Sequence, residues 1–257
     1  PRIIIFSSDR DGDFEIYSLD LDSETLTQLT FNTSTDKHPA LSPDGTKIAF
    51  VSNRSSNWAI HTMNADGTGV SSALYTLSDP AYGHPSWSPD ASQIVFDDDL
   101  ELHIINNDGT GYVQLTSTAF DNEFDPDWSP DGTSIVYTVT IGGGDLEIYT
   151  KNSDGSGTRF PVTDNTANDD QPYWSPDGTE IVYSTDAGGN NDVYTIGSDG
   201  SSPDPVLDTV DDETAPSWSE NGIAYVKNDE IYTFQPGTVG SEQNITENAA
   251  IDQGPSW

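Results

Sequence analysis

One phrase recurs along this chain and limits what it can fold into. Its full form is Pro-x-aromatic-Ser-Pro-Asp-Gly, seen as "HPALSPDG" (His38 to Gly45), "HPSWSPDA" (His84 to Ala91), "DPDWSPDG" (Asp125 to Gly132), "QPYWSPDG" (Gln171 to Gly178) and "APSWSENG" (Ala215 to Gly222). A sixth copy, "GPSW" (Gly254 to Trp257), is cut short. The leading prolines, Pro39, Pro85, Pro126, Pro172, Pro216 and Pro255, stand 46, 41, 46, 44 and 39 residues apart. That period suits one four-stranded propeller blade per unit.

Within each unit the same order of signals repeats. After the Pro-Asp-Gly turn comes an apolar run ending in an aromatic, such as "KIAF", "QIVF", "SIVY" and "EIVY", and at the N-terminus "RIIIF". A polar hairpin leads to a strand with an acidic-apolar-aromatic start, as in "EIY" at Glu15, Glu147 and Glu230 and "DVY" at Asp192. A second Asp-Gly turn then precedes a short outer strand near "QLT" or "NIT". No segment carries helical periodicity long enough to compete.

The two ends complement each other. Residues 1 to 37 hold three strands with no inner one, and 254 to 257 read as an inner strand with no blade. Aligning "RIIIFSSDR" with "TKIAFVSNR" leaves a gap of only Ser-Pro-Asp between Trp257 and Pro1. The expected fold is therefore all-β: a six-bladed propeller of four antiparallel strands per blade, closed by pairing of 254–257 with the N-terminal three strands. The expected blades are 38–81, 82–122, 123–168, 169–212, 213–251, and 252–257 joined with 1–37, in a single domain over 1–257. The unit "PxWSPDGxxIxF…S.R…xIYxxxxDGxxxxxLT" resembles the PD40 repeat of TolB-like six-bladed propellers over essentially the whole chain. That family also carries an α/β domain ahead of its propeller, and no stretch here matches one.

Charge narrows the partners. The 44 acidic residues, 33 Asp and 11 Glu, face 8 basic ones, for a net −36. Nucleic acid and anionic membrane surfaces both reward Lys and Arg, so neither is an expected partner. Such acidity fits two settings: a halophilic surface that stays hydrated in high salt, or divalent-cation binding through Asp oxygens. There is no Cys, which excludes disulfides, thiolate metal sites and a Cys nucleophile. The chain opens at Pro1 without a basic-then-apolar leader, as expected of an exported chain whose signal has been removed. No apolar run approaches the roughly 20 residues of a membrane helix, so no membrane insertion is expected.

Candidate site residues cluster just ahead of the motif prolines. Three positions earlier stand Asp36, Tyr82, Glu123, Asp169, Glu213 and Asp252, with Asp125 and Asp170 beside them. Propeller geometry is expected to bring these loops to one mouth of the central channel. Two carboxylates about 6 Å apart repel by roughly 3 kcal/mol at an effective dielectric of about 20, so such a ring favours a cation. An oxygen-only donor set points to Ca²⁺, with Asp36, Glu123, Asp125, Asp169 and Asp252 as its ligands and a merely acidic rim as the alternative. The resemblance adds that TolB-like propellers can hold a cation in that channel. His38 and His84 immediately precede their prolines and, with Glu213, are candidate ligand-binding residues; a hydrogen-bonding loop role is the other reading of the two histidines. His61 and His103 stand where other blades carry Tyr and are expected to be core aromatics. The tryptophans Trp87, Trp128, Trp174, Trp218 and Trp257, with Leu41, are expected to pack between blades. The segment "DRDGDFE" (Asp9 to Glu15) imitates a calcium loop but is expected to be a polar hairpin.

No G-x-S-x-G elbow or H-E-x-x-H occurs. The expectation is a non-enzymatic, exported, monomeric binding propeller, periplasmic or at the cell surface, docking a protein or cell-envelope glycan at its acidic channel face. Two alternatives stay open. One is a carbohydrate-active lyase or hydrolase at the channel mouth using His38, His84 and the rim carboxylates, and the other is a structural subunit of a surface layer or filament.

Overall fold

The computed structural model describes residues 2–257 except 79–82, 119–120, 143 and 239. Among them the chain forms six four-stranded antiparallel sheets. In chain order from the innermost strand, the blade closed by both termini contains Asp252–Ser256, Ile3–Ser8, Glu15–Asp20 and Thr25–Gln28. The innermost strands of the other five are Asp36–Leu41, Ser86–Trp87, Asp121–Trp128, Asp169–Trp174 and Glu213–Ser219. We number the blades 1 to 6 from the closing one. No helix in the described residues is long and apolar enough to cross a membrane.

Burial explains why each blade reads as it does. The second strand of blade 2, Lys47–Ser52, buries Ile48, Ala49, Phe50 and Val51 together. A strand exposed on one side would alternate; this one is apolar on both sides because a blade packs against each. Six separate apolar clusters result, one at each interface between neighbouring blades. Between blades 2 and 3, for example, Ala49, Val51 and Ile60 meet Trp87, Ile94 and Phe96. Trp87, Trp128 and Trp174 are buried at three such interfaces, and His61 and His103 lie in the core against Phe50 and Phe96. Outer strands are short and expose Val113 and Phe160, since nothing packs beyond them.

The Ser-Pro-Asp-Gly stretch is a self-contained turn. Asp44 accepts hydrogen bonds from Ser42 Oγ (2.7 Å), Thr46 N (3.0 Å) and Thr46 Oγ1 (2.8 Å), and the Ser42 bond leads in holding its carboxyl below the usual range. Gly45 then turns the chain at φ +68°, a conformation that is unstrained without a Cβ. In blade 3 Ala91 occupies that place at φ +57°, so the turn survives with its side-chain bonds but without its preferred residue.

Ring closure follows the expected pairing. Ile5 faces Ser256, Ser7 faces Gln253 and Ser8 faces Asp252, with a bulge between the first two pairs. The C-terminal strand begins at Asp252, two residues before the "GPSW" fragment. Ile4, Phe6, Tyr17 and Leu19 pack on Ala224 and Ile231 of blade 6, and Trp257 joins them. Deleting Gly254 to Trp257 should therefore open a sheet edge and remove an apolar side chain together, lowering the melting temperature by about 10 °C or more. Calorimetry checks this against Phe31→Ala, an exposed position whose melt should stay within about 2 °C of wild type.

Candidate functional site

Five of the six innermost strands carry an irregularity at the same place. In blades 1, 2, 4, 5 and 6 the register slips just before the motif proline, and the residue there adopts a left-handed backbone: His38 (φ +50°), Asp125 (+51°), Gln171 (+53°), Ala215 (+49°) and Gly254 (+57°). A residue before proline normally prefers an extended conformation, and a left-handed one with a Cβ is strained by about 1–3 kcal/mol. The regular pairing on either side holds the strain in place. Bulges of this kind re-aim a side chain, and all these residues line one cavity along the ring axis. Blade 3 reaches the same end differently. Its left-handed residue is Gly83 (φ +98°), where a Cβ would fall 2.6 Å from Leu77 Cδ1, and His84 follows in the lining position.

The cavity has a volume of about 910 Å³. Its collar contains all six motif prolines, and its wall includes Tyr173 and the inner tryptophans. The six residues that immediately precede the motif prolines make it lopsided. His38, His84, Asp125 and Gln171 occupy one arc, and Ala215 and Gly254 leave the other open.

The polar arc is organised around His84. Its backbone N donates to Asp97 Oδ1 (2.7 Å), and its Nδ1 lies 3.1 Å from both Asp97 Oδ1 and Asp125 Oδ1. Burial opposes the charged imidazolium, but the Asp125 and Asp97 carboxylates outweigh it and push the His84 pKa up to about 9. His38 sits edge-on against it, ring centroids 4.2 Å apart. Burial, then the His84 and Lys37 charges, drive the His38 pKa well below the usual value, leaving a neutral imidazole beside an imidazolium. Asp125 is raised by burial, with His84 working against that shift. Gln171 is held by Thr138 Oγ1, which accepts from its N (3.2 Å), and by Ala215 N, which donates to its Oε1 (2.8 Å).

The structure divides the residues expected from sequence into two groups. His38, His84 and Asp125 reach the channel. Asp36, Glu123, Asp169, Glu213 and Asp252 do not: each is buried at its own junction between blades. Asp36 accepts from Arg54 Nη2 (2.6 Å) and Asn32 Nδ2 (2.9 Å), and Asp252 from Arg10 Nη2 (2.9 Å) and Asn248 Nδ2 (2.8 Å). Asp169 accepts from Asn165 Nδ2 (2.6 Å), Glu213 pairs with Lys227 Nζ (3.1 Å), and Glu123 lies 3.5 Å from Arg159 Nη1. These five side chains turn into the blade interfaces to meet their own cationic or amide partners, and the structure does not bring them together in one ring. Tyr82 lies outside the described residues.

Each junction also uses the acid that opens the third strand of the preceding blade. Glu15, Glu147 and Glu230 accept from the backbone N of Asn32 (2.6 Å), Asn165 (2.8 Å) and Asn248 (2.7 Å). The same asparagines donate Nδ2 to Asp36, Asp169 and Asp252, four residues on, and so bridge two carboxylates across the interface. That Asn-x-x-x-Asp spacing was visible in "NTSTD", "NTAND" and "NAAID" and marks three of the five junction carboxylates, while Glu123 and Glu213 lack it. Asp97 had a signal too: it stands alone among Ser7, Val51, Thr138, Ser184 and Val226 at the equivalent strand position. In the hairpin "DRDGDFE", oxygens of Asp11, Asp13 and Glu15 lie within 4.8 Å of one another, but Asp11 is bound by Gln28 Nε2 and Glu15 by Asn32.

The model of the PD40 family, described as the TolB beta propeller domain, matches residues 2–159 and 110–257. The chain belongs to that family. A curated relative of this PD40 propeller, the "Protein TolB homolog" of Chlorobium luteolum, is 31% identical over 134 residues, covering 52% of this chain and 30% of the relative. The propeller therefore spans under a third of that relative's length. By structure it is similar to TolB from Acinetobacter baumannii, with a TM-score of 0.80 at 21% identity over 99% of this chain and 66% of the other. A chain of a nidogen/laminin complex also shares the fold, with a TM-score of 0.75 at 12% identity over 99% and 97% of the two chains.

The shifted groups set a pH dependence. Burial, the largest influence on both, raises Glu15 and Glu123 from 4.5 to about 7. The folded state then binds more protons than the unfolded one between those values, so stability grows as pH falls through 7 and the gain is complete below 4.5. The raised pKa of His84 acts in the same sense, stabilising below about 6.5 and losing that effect as pH rises through 9. Melting temperature should rise from pH 9 to pH 5, and Glu15→Gln should flatten part of that slope; a curve rising with pH refutes the assignment. In a separate measurement, NMR titration should place His84 near 9, and Asp97→Asn should lower it by one unit or more.

Proposed function

We propose that this PD40 propeller is a non-enzymatic binding module that docks a segment of a partner protein in the channel mouth. The carrying observation is the set of five bulges: one backbone device aims His38, Asp125, Gln171 and Ala215 into one cavity and puts Gly254, with no side chain, at the fifth position. A core needs no such variety, because the inter-blade clusters are complete without these residues. Export to the periplasm or outer surface is part of the same reading, since TolB-like propellers are periplasmic.

Filling the open arc tests it. Ala215→Trp places a bulky side chain where the wall is smallest, and it should abolish retention of envelope partners by the immobilised propeller while leaving the melt within about 3 °C. Undiminished retention by this variant would place docking elsewhere on the molecule.

One observation favours a second reading. A neutral His38 beside a protonated His84 is a base next to an acid, the pairing a polysaccharide lyase or hydrolase would use at the channel mouth. Yet both carboxylates near His84 engage Nδ1 and hold its proton to about pH 9, which makes it a reluctant acid near neutrality. Turnover of uronic-acid or neutral oligosaccharides that disappears in a His38→Ala, His84→Ala double variant would establish the enzyme in place of the binding module.

A further inference from the structure

Five blade junctions repeat one arrangement, in which an acid on the third strand of one blade meets an acid at the start of the next blade's inner strand. At four of them a cation completes the group, paired with the inner-strand acid and lying over an aromatic ring of the same blade. Arg10 joins Asp252 over Tyr17 (4.7 Å to the ring centroid), and Arg54 joins Asp36 over Phe50 (4.9 Å). Arg159 lies by Glu123 over Tyr149 (4.8 Å), and Lys227 joins Glu213 over Tyr232 (5.8 Å).

The fifth junction, between Glu147 of blade 4 and Asp169 of blade 5, has the other parts and no cation among the described residues. Asp169 pairs in register with Thr185, as Asp36 does with Ser52 and Asp252 with Ser8. Two residues earlier, on the same side of the strand, Tyr183 faces Tyr194 just as Phe50 faces His61 and Phe6 faces Tyr17. Asn165 ties the two acids together through its backbone N and Nδ2. Both acids are buried, yet Glu147 Oε2 and Asp169 Oδ1 keep no hydrogen-bond partner among the described residues. Unpaired carboxylate oxygens occur at other junctions too, but there a basic side chain lies within 4 Å of the inner-strand acid. Alignment shows what is missing: "SDR" (Ser8 to Arg10) and "SNR" (Ser52 to Arg54) correspond to "TDA" (Thr185 to Ala187). Arg10 and Arg54 each donate Nε to the hydroxyl two residues back, at 2.9 and 3.0 Å. The backbone N of Arg54 donates to Ser52 Oγ (3.1 Å), as that of Ala187 does to Thr185 Oγ1 (3.3 Å). The turn is therefore alike, and in blade 5 its side chain stops at an exposed methyl group.

The four junction cations are 11–28% exposed, so places of this kind open to solvent, and Tyr194 is itself partly exposed. All four arginines of the chain are already paired, Arg2 with Asp22 and the others at junctions, so an occupant comes from outside. A planar guanidinium suits the place: it can stack on a tyrosine ring while its N–H groups meet carboxylates and the Thr185 hydroxyl. We propose that the junction of blades 4 and 5 is a docking slot for an arginine side chain of a partner protein, received by Asp169 and Glu147 beside Tyr194. None of these residues lines the channel, so the slot is a second contact, independent of docking in the channel mouth.

The test uses the intact propeller with blocked arginine, acetyl-arginine-amide, and its uncharged isostere, blocked citrulline, by calorimetry at about 50 mM salt and pH 8. Blocked arginine should bind one to one and at least tenfold tighter than blocked citrulline. Ala187→Arg supplies from within the side chain that blades 1 and 2 carry at this place, and it should weaken blocked arginine at least tenfold. Asp169→Asn should weaken it as much; should that variant fail to fold, Ala187→Arg is read alone. Glu180→Gln removes a charge from the exposed far end of the strand that carries Thr185 and should leave binding within twofold. No binding of blocked arginine, equal binding of blocked citrulline, or undiminished binding by Ala187→Arg overturns the proposal. Equal damage from Glu180→Gln overturns it as well, since net charge alone would then account for the binding. In each of those cases the Ala215→Trp retention experiment still judges the channel on its own.

Discussion

The ladder between Ile3–Ser8 and Asp252–Ser256 is the contact on which everything else in the ring depends. A blade is a twisted sheet with two large apolar sides, and each side is covered only by the next blade. Six blades have six interfaces only if the last meets the first. The closing strand does this twice, pairing with Ile3–Ser8 along its edge and delivering Trp257 to the cluster shared with blade 6. Without it the buried sides of two blades would face water, and the channel would become an open groove. The site is thus a consequence of closure, since its lining comes from all six inner strands.

The junction carboxylates show how so acidic a chain closes at all. With only 8 basic residues, the protein places Arg10, Arg54, Arg159 and Lys227 at four of the interfaces where buried acids would otherwise face one another. At the Asp169 junction an asparagine amide and hydroxyl groups serve instead, and burial keeps that carboxyl raised. Removing a partner from a buried charge is more damaging than the net worth of the pair suggests, because it leaves an uncompensated charge behind. The same allocation leaves no Lys or Arg for the channel. The polarity of the cavity and the stability of the ring are two results of one scarce supply of cations.

The fold was legible because its signals are local and repeated. Pro-Asp-Gly fixes a turn, "KIAF" and its relatives fix a two-sided strand, and the mismatch of the two ends points to closure. The carboxylates were harder to place because position along a strand says little about which way a side chain turns. Asp36 and Asp125 lie two residues apart in the alignment of their blades, yet one enters an interface and the other the channel. What separates them is the bulge, a backbone feature that sequence marks only through the following proline. The partnership of His84 with Asp97 was hidden for a related reason: it joins two strands through a departure from the repeat, and such departures are visible only once the repeat is used as a baseline.

That separation of backbone from side chain has a functional consequence. The bulge is held by the paired strand on either side, so His, Asp, Gln, Ala and Gly all adopt it with φ between +49° and +57°. The strain is similar for each residue bearing a Cβ, and it does not depend on what lies beyond Cβ. Residue identity at these positions can therefore change with little effect on the sheet, whereas the large apolar residue two places after each motif proline, Leu41 or a tryptophan, is tied to a neighbouring blade. A propeller built this way keeps the parts that hold the ring apart from the parts that face the channel. The arc of His38, His84, Asp125 and Gln171 opposite the small Ala215 and Gly254 is then a choice the fold does not require, and a feature the fold does not require is where binding specificity can reside.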